Sequence, residues 1–443
     1  MIIVPLELPL RASEAASLAD LILQFGDGKP LATELRNRLQ AWLPSLGLQS
    51  ILPFLGSLAQ DPIHASTYYL AVDGTSAAGI KKPFLLHMAL SSSPASANFL
   101  TPILIGRMRP AGGREIVVNA IPFGPSDVGE VSAYSEKIER GFLPRPQSGV
   151  PSISISVEDP AIDLPAAFEA YRTIQQQLRV NLAAPVRVNA MAATDEVMAK
   201  SYTAAVWAAI RAGWRDGFTL EATFKLSSSN AAELNNVKAA IKTAAPFTKF
   251  SFDVTALLQS SGTAEFETLF DEVERTWILE EFAREFPLVT GAPVRFTQEE
   301  TKDLAVRYST AMRTVEQLYD EVRREKTRSV TGRSFDFELK IGSAETAVPP
   351  KELLFAMHWL KSQNRPVQLL APHISDSEIA AQTAEYAAVA RYFQAVLTIA
   401  PGDDLPADVV EQIGRAAFGR LNFQLSKAHD AQYLVNLATR LRS

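Results

Sequence analysis

At 443 residues, with 47% apolar and 21% charged side chains, the chain is too long for one small core and too apolar to stay unfolded, which points to a large α/β unit with an attached domain. A formal net charge of -6 argues against a binder of nucleic acid or of anionic membranes, whose phosphates call for clustered Lys and Arg. With no cysteine, disulfides, thiolate zinc sites, iron–sulfur clusters and cysteine nucleophiles are excluded.

The first eleven residues lack a basic leader, and Pro5, Glu7 and Pro9 interrupt their apolar run, so they read as mature sequence and the expected compartment is the cytoplasm. No uncharged apolar run reaches the 18 or so residues that a membrane span needs. Residues 12 to about 60 read as helical, with a break at Gly26-Asp27-Gly28 and a second helix over 32–43. From Thr67 the pattern becomes extended: runs at 67–72, 83–90, 102–108 and 115–123 follow one another without helices between them. That succession indicates a small antiparallel α+β domain over 1–145, closed by the turn-rich segment Phe142-Leu143-Pro144-Arg145-Pro146.

Beyond that boundary, strand and helix alternate. Strands are expected at 152–157, 186–190, 218–224, 250–254, 335–341, 367–371, 395–399 and 421–425, with amphipathic helices between them. Eight such units across 150–443 match a TIM-type (β/α)8 barrel. Two long helical stretches, at 263–285 and 298–327, form an elaboration of about 263–328. Their apolar stripes, among them Trp277, Phe282, Tyr308, Met312 and Leu318, suit packing, with a homo-oligomer or partner surface as the other reading. The basic run Arg323-Arg324-Glu325-Lys326 ends the second stretch, where cations favour a helix C-terminus.

Several stretches carry a resemblance: Pro185-Val186-Arg187-Val188-Asn189-Ala190, Gly213-Trp214-Arg215-Asp216-Gly217-Phe218, Phe335-Asp336-Phe337-Glu338, Leu370-Ala371-Pro372, and Lys427 ahead of Tyr433-Leu434. In that order they resemble the tagaturonate/fructuronate epimerases, metal-dependent sugar-acid epimerases built on a barrel. The resemblance covers about 150–443. It implies a divalent metal held at the C-terminal ends of the strands and a base placed beside a carbonyl. The chain departs from the family on four loops. An acidic, His-containing motif after the third strand is replaced by Glu221-Ala222-Thr223-Phe224; an Asp-Glu pair falls on Gly342-Ser343; an arginine falls on His373; and a His- and Asp-containing loop falls on Ala400-Pro401-Gly402-Asp403. Two imidazole positions and three carboxylate positions are thereby lost.

The remaining candidates carry two readings each. Glu221, near the C-terminal end of its strand, is either a catalytic carboxylate or a salt-bridged rim residue. Asp253 either faces the barrel mouth or caps the next helix, and Glu338, with Asp336 and Lys340 on its side of the pleat, is either a site residue or a paired interior carboxylate. Asn189, His373 and Lys427 are the expected ligand contacts. The leading expectation is an epimerase-related barrel without a metal or other cofactor, holding a sugar-acid-like ligand at its C-terminal mouth. One alternative is an active uronate epimerase or isomerase that uses Glu221, Asp253 and Glu338, which a bound divalent metal would favour; the other is an interaction protein acting through 263–328.

Overall fold

The computed structural model describes residues 6–7, 51–57, 59–61, 66–73, 83–90, 103–108, 116–146, 150–156, 160–178, 185–189, 195–258, 265–289, 291–401, 405–418, 420–425 and 431–442. They fall into two compact units: 1–143 with 159–168 and 203–217, and 144–158 with 169–202 and 218–443.

The first unit is built on a seven-stranded sheet: β1 (Leu6–Glu7), β2 (Ile51–Pro53), β3 (Ala59–Asp61), β4 (Ser66–Asp73), β5 (Phe84–Leu90), β6 (Ile103–Met108) and β7 (Ile116–Pro122). Every described pairing in it is antiparallel except β1 with β6. The α+β reading of this region therefore holds where it is described. The helical reading fails at its end, because Ile51–Pro53 is a strand paired with Ala71–Asp73. Pro53 lacks the N–H that a helix interior needs. The expected helical stretch from residue 12 to the break at Gly26-Asp27-Gly28 and the expected helix over 32–43 lie outside the described residues. Gly213 shows why a residue without a side chain is needed in this unit: its φ is +65°, and a Cβ there would meet Gly56 Cα at 2.5 Å.

The second unit carries eight parallel strands closed into a barrel in the order β10-β11-β12-β13-β14-β15-β8-β9. They are β8 (Ser152–Ser156), β9 (Pro185–Asn189), β10 (Thr219–Lys225), β11 (Lys249–Asp253), β12 (Asp336–Ile341), β13 (Leu369–Pro372), β14 (Val396–Ile399) and β15 (Leu421–Gln424). The alternating rhythm of the sequence thus yields the expected (β/α)8 barrel, each strand within about two residues of its predicted span.

The outward face is apolar. Phe224, Phe252 and Phe337 stack in sequence, with ring centroids 4.7 and 5.1 Å apart. Tyr319 of the helix α7 (Gln298–Lys326) lies 5.0 Å from Phe337. This 29-residue helix packs against both α4 (Ala231–Thr243) and α8 (Pro350–Ser362), the helices on either side of it in the chain order of the βα units. It therefore takes the crossover-helix place between β11 and β12. The expected 263–285 helix is two, α5 (Phe266–Leu269) and α6 (Glu272–Phe282), because Asp271 accepts from Glu274 N and starts a fresh helix. Much of the apolar stripe of α7, with Ile278 and Phe282 of α6, is buried within the chain's own fold: Phe282 stacks on Phe355 of α8 at 4.1 Å, and Tyr308, Met312 and Leu318 are fully enclosed, while Val273 of α6 stays exposed.

Candidate functional site in the barrel interior

The barrel strands alternate polar and apolar residues: Thr219-Leu-Glu-Ala-Thr-Phe-Lys, Lys249-Phe-Ser-Phe-Asp, Asp336-Phe-Glu-Leu-Lys-Ile and Leu421-Asn-Phe-Gln. With period two, one face of each strand is polar, and the aromatic face is the one turned to the helices. The polar set therefore points inward. Ordinary barrels of this class fill that space with branched apolar side chains; here much of it is filled by charge and hydrogen bonds.

Glu221 on β10, Lys249 on β11 and Glu338 on β12 are all fully buried. Lys249 Nζ lies 3.0 Å from Glu221 Oε2 and 2.7 Å from Glu338 Oε2. Lys340, two residues further along β12 and 24% exposed, approaches Glu221 Oε1 at 3.7 Å and Glu338 Oε1 at 3.6 Å. Both contacts of Lys249 Nζ are close ion pairs, and charge attraction carries them. Glu338 is better satisfied: Ser251 Oγ donates to Oε1 at 2.7 Å and Thr398 Oγ1 to Oε2 at 2.8 Å. The chain of bonds continues as Asn422 Nδ2 donates to Thr398 Oγ1, while Ser152 and Ser154 hydroxyls donate to Asn422 Oδ1 at 2.6 Å each. One polar network thus links β10, β11, β12, β14, β15 and β8.

Lys249 and Glu338 keep their charges. Burial pulls the Lys249 ammonium down, but the carboxylates of Glu221 and Glu338 outweigh it and hold the lysine above its usual value. Burial likewise pushes Glu338 up, yet Lys249 and Lys340 prevail and bring it to about 2. The two carboxylates and two ammoniums balance, which is the condition for keeping ions in a low-dielectric interior.

The other expected residues that the structure describes, Asp253, Asn189 and His373, stand at or just past the C-terminal ends of their strands. Asp253 ends β11 and is engaged locally: its Oδ1 accepts from Thr255 N at 3.1 Å and from Thr255 Oγ1 at 2.6 Å. Thr255 Oγ1 also lies 3.2 Å from Gly342 O, tying together the loops after β11 and β12. The Gly342–Thr346 loop is closed on itself, with Ser343 N donating to Thr346 O at 2.9 Å and Thr346 N to Ser343 O at 3.1 Å. Gly342 has φ +96°, which a residue with a Cβ adopts only under strain. His373 follows β13 with its side chain exposed, and its N–H donates to Ile341 O at 3.1 Å. Asn189 ends β9 in register with Thr223; its side chain, like all of Lys427, lies outside the described residues. His87, buried in the first unit, is paired with Asn119, and His358 with Glu281, so both have settled partners.

Lys249 escaped the sequence reading because the expected strand, 250–254, began one residue after it, whereas the strand runs Lys249–Asp253. The signal was present in the alternation itself, which placed Lys249, Ser251 and Asp253 on one face. The divalent metal that the resemblance implies does not fit this centre. The two inward glutamates on adjacent-but-one strands are already joined by an ammonium, and among the described residues no group of three His, Cys, Asp or Glu is placed to hold a metal.

The tagaturonate epimerase family matches residues 185–377, which contain Glu221, Lys249, Glu338, Lys340 and His373. Over those residues the barrel region is similar to the tagaturonate epimerases. Among solved structures, the chain is similar to the fructuronate-tagaturonate epimerase UxaE from Cohnella laeviribosi. In a glycerol complex of that protein the TM-score is 0.62 at 16% identity, covering 88% of this chain and 75% of the other. The native crystal structure gives a TM-score of 0.60 at 15% identity, with 87% and 74% covered. At that identity the likeness establishes the fold. No curated protein matches the sequence. Among the described residues, no helix is long and apolar enough to cross a membrane.

Proposed function

We propose that this chain is a carbohydrate epimerase relative that binds a sugar-acid-like ligand at the C-terminal mouth of its barrel without carrying out metal-dependent epimerisation. The observation that carries this reading is the ion-paired state of Glu221 and Glu338. A carboxylate acting as a base must be free to take a proton near neutral pH, and Glu338 is held at about 2 by its lysines. Lys340 is the partly exposed member of the charged centre, and its ammonium suits the carboxylate of a uronate. His373, exposed after the neighbouring strand, offers a second hydrogen-bonding group.

The test combines binding and turnover. Hexuronates and ketouronates are expected to raise the Tm of the wild type in a saturable way, and Lys340→Ala to abolish that rise. Incubation with tagaturonate or fructuronate, with Mn2+, Mg2+ or Zn2+ supplied, is expected to give no epimer by NMR. Metal-dependent epimer formation would restore the active-enzyme reading, and a Tm indifferent to every uronate would remove the ligand.

A further inference from the structure

We propose that the Lys249 ammonium is a built-in replacement for a metal: a permanent cation seated between Glu221 and Glu338 that completes the barrel's interior charge, so that the wild-type barrel has no use for a divalent ion there. This deepens the reading of the site as metal-independent, but its readout is metal binding and is separate from uronate binding.

The geometry supports it from three sides. First, the two carboxylates stand on β10 and β12, and the lysine rises from β11 between them, 3.0 and 2.7 Å from their oxygens. The bridging cation thus comes from the one strand that can reach both carboxylates as a neighbour. Second, all three side chains are fully buried, and Glu338 has its remaining hydrogen-bonding capacity taken up by Ser251 and Thr398. Third, with Lys340 included, the four charges sum to zero. A divalent ion added to this set would leave two uncompensated positive charges in a buried place. Hard divalent cations need several converging oxygens. The oxygens are here; the ammonium takes their attraction.

Vacating the lysine's seat would reverse that balance. Shortening Lys249 to alanine leaves two enclosed carboxylates, with hydroxyls from Ser251 and Thr398 close by, and removes the charge that balanced one of them. That cavity has the ligand chemistry for a divalent cation, and with Lys340, 24% exposed, turned to water, the two carboxylates and one divalent ion sum to zero.

The experiment measures metal content by elemental analysis and Tm against Mn2+, Mg2+ and Zn2+ in turn, for the wild type, Lys249→Ala, and Lys249→Ala combined with Glu221→Gln. The wild type is expected to hold no stoichiometric divalent ion and to show no Tm response. Lys249→Ala is expected to melt lower and to regain Tm saturably with one of the ions, reversibly with EDTA, and the added Glu221→Gln to blunt that gain. If Lys249→Ala is recovered only as insoluble protein, refolding from urea reads the same property, with a higher yield expected in the metal ion than in EDTA. A stoichiometric ion in the wild type that Glu221→Gln or Glu338→Gln releases would overturn the proposal. So would a Lys249→Ala protein, folded or refolding, that is indifferent to all three ions.

Discussion

Lys326, in the last turn of α7, is a buried ammonium held, among the described residues, by neutral partners. Its Nζ donates to Phe247 O at 2.9 Å, Ala245 O at 3.2 Å and Thr331 Oγ1 at 2.7 Å, among them carbonyls just past the end of α4, where the helix dipole favours a cation. Neutral acceptors do not offset the cost of burying the charge, and desolvation pushes the lysine from 10.5 down to about 7. The folded pKa lies below the unfolded one, so between about 7 and 10.5 the unfolded chain binds more protons than the folded chain. Stability therefore rises with pH across that window, by at most about 1.4 kcal/mol per pH unit from this group, and is flat with respect to it below pH 7. In Lys326→Met this contribution disappears. Urea unfolding at pH 7 and pH 9 should show the wild type gaining on the variant at the higher pH; a constant difference would mean that Lys326 does not titrate there. The sequence did place this lysine at a helix C-terminus, but its burial against neutral acceptors depends on where a distant loop passes, which spacing cannot reveal.

At the scale of elements, α7 begins on a reciprocal cap. Thr297 Oγ1 accepts from Glu300 N at 3.2 Å, and Glu300 Oε2 accepts from Thr297 N at 2.8 Å. The same pattern at Asp271 and Glu274 explains why the helical stretch starting near 263 breaks after Leu269. Both pairs have the S/T/D-x-x-E spacing, so this boundary was legible in the sequence; an apolar stripe running through Phe266, Phe270, Trp277 and Phe282 obscured it by keeping helical rhythm across the break. Because α7 packs between α4 and α8, its start is coupled to the global fold, and loss of the cap should appear in overall stability. Thr297→Ala is expected to cost about 1 kcal/mol, and Thr297→Ser to cost much less, since the serine hydroxyl accepts the same N–H. Denaturant midpoints for the pair decide this. Equal losses would show that the threonine methyl, rather than the cap, carries the effect.

For the molecule as a whole, the positions of all eight barrel strands were readable because buried β segments and amphipathic helices have different periods. The content of the barrel was harder to read. In a closed barrel, the inward residue of one strand acquires its meaning from strands far away in sequence: Glu338 meets Ser251, 87 residues earlier, and Thr398, 60 residues later. Alternation showed which side Glu338 occupied; only closure showed that Lys249 fills that side and pairs with the carboxylate. This arrangement makes the ion set a coupled unit, and its energetics should be those of a unit. Removing Lys249 alone, as Lys249→Met, strands two enclosed carboxylates and should cost about 3–5 kcal/mol. Removing the three ions together, as Glu221→Leu, Lys249→Met and Glu338→Gln, takes away the uncompensated charge as well, while Lys340, 24% exposed, can turn to water. The triple variant should therefore be more stable than the single one, the reverse of an additive result. It should also differ in acid. Glu338, held at about 2 against 4.5 when unfolded, contributes stability that is present above pH 4.5 and is lost as pH falls toward 2, about 3 kcal/mol in all. Urea midpoints for wild type, single and triple variants at pH 7 and pH 3.5 measure both effects. A triple variant less stable than Lys249→Met, or one that keeps the wild type's acid sensitivity, would show that the charges act independently rather than as one closed set.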